Sequence, residues 1–151
     1  MENIGQLIPS LDSLLAQLDL LARIFVMVGP LALLGLGLYY FLLPPKEANH
    51  SAGYRFRYGM SKVKVWRFMQ RLAGMVYSGV GLVLTVVMSI VCISFGSMDA
   101  ETMLWSAVKC ILWELAILVQ ATLAINITIV CLYDDQGNSR KEMKELFRKE
   151  K

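Results

Sequence analysis

Gly53-Tyr54-Arg55-Phe56-Arg57-Tyr58-Gly59-Met60-Ser61-Lys62-Val63-Lys64-Val65-Trp66-Arg67-Phe68-Met69-Gln70-Arg71-Leu72-Ala73-Gly74 decides the fold, because it is basic throughout and lies between long apolar runs. It holds Arg55, Arg57, Lys62, Lys64, Arg67 and Arg71, and no acidic residue. Tyr54, Phe56, Tyr58, Trp66 and Phe68 are interleaved with those cations. Cations and aromatic rings collect where a chain leaves hydrocarbon for headgroups. The stretch therefore reads as a loop and the juxtamembrane start of a helix, on the cytoplasmic face of a membrane.

The chain has 151 residues, a length suited to one domain. Hydrophobic residues make up 56% and charged residues 18%, against about 45–50% and about 25% in soluble domains. The apolar excess falls in blocks, and blocks of that length mean membrane spans. The net charge of +3 says little; how the charges are distributed says more. Cys92, Cys110 and Cys131 form no CxxC or Cys/His cluster, so they read as free thiols and not as a zinc site. Cys92 and Cys110 fall on one side of the membrane, where a bridge is conceivable. Met1-Glu2-Asn3 lacks the positive start of a signal peptide.

Residues 10–22 read as an amphipathic helix, with Leu11, Leu14, Leu15, Leu18 and Leu21 on one face and Asp12, Gln17 and Asp19 opposite. It would lie in the headgroup plane or pack on the rim of the bundle. Three spans follow, at 24–43, 72–95 and 104–132, and 133–151 is a cytoplasmic tail. Gly35 and Gly37, Gly74-x-x-x-Ser78 and Gly81-x-x-x-Thr85 offer close helix approach. The second helix is expected to begin near Ser61 as its cap. The tail reads as a short solvated helix, its cations mixed with Glu142, Glu145 and Glu150. The fold class is an all-α membrane protein: three transmembrane helices, an N-terminal amphipathic helix and a basic cytoplasmic loop.

Cation counts set the orientation. Seven Lys/Arg lie between Lys46 and Arg71, six lie in the tail, and none lies in the turn from Gly96 to Thr102. Cations in short loops stay cytoplasmic. The N-terminus is then outside and the C-terminus inside.

Gly53-Tyr54-Arg55, Met60-Ser61, Trp66, Gln70-Arg71 and Gly74, with one span before and two after, resemble the signature loop of the SdpI family of small bacterial integral membrane proteins. Phe56-Arg57 stands where Thr-Pro is usual in that family, and Gln70 where Asn is usual. The resemblance implies the bacterial inner membrane and a binding role, such as immunity to a membrane-active peptide toxin or sensing of it. It also implies a cytoplasmic protein partner.

Gly53, Tyr54, Arg55, Trp66, Arg67, Gln70 and Arg71 are the candidate ligand- or partner-binding residues. The same residues could instead lock the loop against the helix start, with Arg71 folding back onto loop carbonyls and Gly53 supplying a turn closed to side chains. The juxtamembrane cations also suit anionic membrane lipid. Lys109, Glu114, Gln120 and Asn126 are polar residues inside the third span. A carboxylate in a span suggests a functional site with a partner. Lys109 is too far along the helix to share a face with Glu114. Glu114 reads as part of an ion or proton path, or as a shallow residue near the outer interface, or as one bonding a neighbouring span. Gln120 and Asn126 could bridge helices.

His50 has no second ligand nearby, and no catalytic triad, phosphate loop or carboxylate pair appears. The sequence therefore points to no enzyme, no cofactor, no metal and no nucleic acid. The alternatives to a binding role are a small transporter or channel component using Glu114, or a structural subunit of a larger membrane complex. Homo-oligomerisation is open to such a bundle.

Overall fold

The structure, a computed structural model, describes residues 11–45 and 53–141. Its helices are α1 (Leu11–Leu42), α2 (Val63–Phe95) and α3 (Ala100–Leu132), with a short 3-10 turn at Arg57–Met60. All three helices are long and apolar enough to cross a membrane, and no β-strand occurs among the described residues. The chain is an all-helical, three-span membrane protein. His50 and the tail beyond Lys141 lie outside the described residues.

The stretch at 10–22 is not a helix apart from the first span. From Leu11 it is continuous with the span, because nothing between Ala22 and Ile24 breaks the backbone. Arg23, the one charge that could have forced a boundary there, is held within α1 by Asp19, with Nε donating at 2.9 Å. Its guanidinium also donates to the Cys92 carbonyl of α2. Leu14, Leu15 and Leu18 remain exposed, and Leu15 lines a groove with Phe95, Met98 and Met103 at the rim where α2 turns into α3. Pro30 lies inside α1 and is fully buried. The helix ends at Leu42, just before Pro44-Pro45, where the missing donors and the ring clash prevent continuation.

α2 begins at Val63, well before 72, with Lys62 in extended conformation at its cap. Ser61 is not the cap. Its hydroxyl donates to the Tyr58 carbonyl instead. α3 begins at Ala100 instead of 104, because Asp99 caps it by accepting from the Thr102 N–H at 3.0 Å. The short turn between α2 and α3 makes the two antiparallel.

α1 packs chiefly on α2. Leu34 meets Gly81, Tyr77 and Ser78 meet Gly37, and Phe41 meets Gly74. Positions rise on one helix as they fall on the other, so this pair is antiparallel as well. A Cβ at Gly81 would stand 2.5 Å from the Leu34 nitrogen, and one at Gly74 would stand 2.6 Å from that of Phe41. Glycine thus lets the two backbones touch. Gly35 faces open space and takes no part in this contact. α3 closes the bundle by bringing Ala107 and Ile125 into one core with Val26, Leu33, Leu84 and Met88. The outward faces carry exposed apolar side chains, among them Leu82, Ile93, Leu112 and Ile127. That surface suits hydrocarbon and not water.

After α3 the chain first forms a turn, and helix resumes at Arg140 and Lys141, where the described residues end. Tyr133 pairs with Ser139, and the Asp134 carboxylate accepts from the N–H groups of Gln136 and Asn138. Gly137, at φ +75°, is buried against Ser61 and Lys62. The turn is thereby clipped to the entrance of α2.

Candidate functional site

Two constellations stand out, one at the basic end of the bundle and one in its middle.

At the basic end, the Gln70 side chain is fully buried and bonds the backbone of Tyr54 twice. Its Oε1 accepts from the Tyr54 N–H at 2.8 Å, and its Nε2 donates to the Tyr54 carbonyl at 2.7 Å. Trp66, also fully buried, donates its indole N–H to the Pro45 carbonyl at 2.9 Å. Gly53 has φ +110°, and a Cβ there would stand 2.8 Å from the Trp66 ring. The backbone angle and the missing side chain are therefore both required. Tyr54 then reaches into the bundle, where its hydroxyl donates to Asn126 Oδ1 at 2.7 Å and its ring meets Tyr77 edge-on at 5.9 Å. Tyr77 in turn shares a 3.0 Å hydrogen bond with Thr122. Burial pushes the Tyr54 phenol well above its ordinary range. Gly53, Tyr54, Trp66 and Gln70 thus form a lock that ties the loop to α2 and α3, and their polar atoms are occupied.

The arginines of the same stretch point elsewhere. Arg55, Arg67 and Arg71 are exposed. Arg71 makes no hydrogen bond to a loop carbonyl among the described residues. With Arg67 it flanks a groove whose apolar part is Leu42, Leu43 and Pro44.

In the middle of the bundle, Glu114 is 8% exposed, and its Oε1 is buried with no hydrogen-bond partner. It sits at the midpoint of α3, not shallow at an interface. It bonds no neighbouring span. Its Oε2 lies against Gly29 of α1, where any Cβ would collide with it. The carboxyl forms part of the wall of a cavity of about 210 Å³, lined otherwise by apolar side chains including Phe25, Leu33, Leu84, Ile111 and Leu118. Phe25 at its rim is 64% exposed, so the cavity borders the lipid-facing surface between α1 and α3. Lys109 and Gln120 are exposed on α3 and share nothing with this site. Asn126 belongs to the Tyr54 lock, where it joins loop to helix.

No family model, curated protein or solved structure matches this chain.

Among the described residues, no group of His, Cys, Asp or Glu is placed to hold a metal ion. The three cysteines are free: Cys92 is buried, Cys110 partly buried and Cys131 exposed. Sequence reasoning did not pair Gly29 with Glu114. The available signal was a glycine at mid-span facing a lone carboxylate in another span. It also did not pair Arg23 with the Cys92 carbonyl, a contact with no local signature.

Proposed function

We propose that this chain is a membrane-embedded binding protein that takes a hydrophobic, cation-bearing ligand from the bilayer at the Glu114 cavity. One observation carries this reading: a carboxyl oxygen is buried without a partner at the wall of an apolar cavity beside the lipid surface. Leaving a lone carboxylate in hydrocarbon is costly, and a bound cation would remove that cost. The space exceeds the roughly 150 Å³ that admits a benzene-sized guest, so an alkyl stem or a ring fits beside the charge.

Immunity to a membrane-active peptide, or sensing of one, as the resemblance to the SdpI family implies, is the biological form we assign to this activity. A lysine side chain or a terminal amine of such a peptide carries the required stem and charge. The basic loop and tail would then lie on the cytoplasmic side of a bacterial inner membrane, with the N-terminus outside. A transport role draws less support, because the other residues lining the cavity are apolar and offer an ion no relay.

Carbodiimide labelling tests this reading. Dicyclohexylcarbodiimide partitions into bilayers and adds to carboxyls there. Protein in lipid nanodiscs is expected to gain one adduct by intact mass, and Glu114→Gln is expected to gain none. Hexyltrimethylammonium, a cation that cannot attack the activated carboxyl, should suppress labelling and hexanol should not. Equal protection by the alcohol, or none by the ammonium cation, would sink the cation-bearing ligand.

A further inference from the structure

A second site stands apart from Glu114, at the basic end. Arg67 and Arg71 lie one turn apart on α2, both exposed, and neither makes an ion pair or hydrogen bond among the described residues. They flank a groove of about 440 Å³ whose other described lining residues are Leu42, Leu43 and Pro44, so among the described residues no carboxylate lines it. Leu42 and Leu43 are each 67% exposed. They stand where α1 ends, at the level where hydrocarbon gives way to headgroups. One side of the groove is therefore doubly cationic and the other is apolar.

We infer that this groove binds the phosphodiester headgroup of an anionic phospholipid, with Arg67 and Arg71 donating to its phosphate oxygens and Leu42 and Leu43 against its acyl chains. Guanidinium groups match phosphate geometry and carry a charge at every accessible pH. Two arginines spaced by one helical turn present neighbouring donor sets to one face. A free inorganic anion would use the arginines alone and leave the two leucines exposed to water. A lipid uses both halves of the groove, which is why the assignment goes to the lipid. The site is independent of the Glu114 cavity, which lies in the middle of the bundle.

Native mass spectrometry of the intact chain in mild detergent tests the assignment, with phosphatidylglycerol, phosphatidylcholine and inorganic phosphate as probes. Arg57→Ala/Lys64→Ala is the charge-matched control, since both residues are exposed and neither lines the groove. Phosphatidylglycerol should bind in preference to phosphatidylcholine. Arg67→Ala/Arg71→Ala should weaken it by about thirtyfold, while the control keeps most of the affinity. Equal weakening in both variants would mean diffuse attraction by the whole basic end and would overturn the site. Retention in Arg67→Ala/Arg71→Ala would overturn it too. Displacement of the lipid by millimolar phosphate would overturn the lipid in favour of a free anion.

Discussion

Gln70 does with one side chain what a strand neighbour does with its backbone: it gives Tyr54 both a donor and an acceptor. Replacing it with leucine, of similar bulk, leaves a buried N–H and a carbonyl unpaired. Gln70→Leu should therefore cost about 3 kcal/mol, read as a lower midpoint in a denaturant titration in detergent. Trp66 fluorescence should shift as Pro45 and Gly53 release the indole. An unchanged midpoint would mean that the loop is held by packing alone. Asp134 works similarly at the other side of this end. The N–H of Asn138 first, and that of Gln136, hold its carboxyl below the usual carboxylate range. Its folded value lies below the unfolded one of about 3.9. The turn's contribution is thus present above that pH and is lost as pH falls through the lower folded value. The Asn138 amide resonance should titrate with a midpoint below about 4, and Asp134→Asn should abolish that titration.

For the elements, the α1–α2 seam is set by where glycine occurs. Gly81→Leu would drive a side chain into the Leu34 backbone, and overpacking of this kind costs about 1–3 kcal/mol. Gly35→Ala meets nothing within 4 Å and improves helix propensity, so it should be neutral or slightly stabilising. Thermal melts of the two variants in the same detergent give the comparison, and equal losses would mean that the two backbones do not touch at Gly81 and Leu34. At the start of α3, Asp99→Ala removes the acceptor for the Thr102 N–H and should cost about 1 kcal/mol.

For the whole molecule, one end is basic and the other acidic, and membrane insertion should follow that difference. In a background without native cysteines, Ser97→Cys should react with an impermeant maleimide added outside intact cells. Lys64→Cys should react only after the membrane is opened. The reverse pattern would invert the orientation proposed from the cations. The sequence by itself determined that three helices span, because apolar run length and proline placement act locally and need no partner. It also marked Gly53, Gln70 and Glu114 as unusual, since a glycine, an amide and a carboxylate each stand out from their surroundings. Only the tertiary structure decided what they do. Gln70 reaches Tyr54 across the loop, Tyr54 reaches Asn126 in another helix, and Glu114 finds Gly29 and a cavity instead of a cation. Those outcomes depend on which faces of three helices meet. Residues far apart in the chain set those meetings, through backbone contacts such as Gly81 on Leu34 that no single segment encodes.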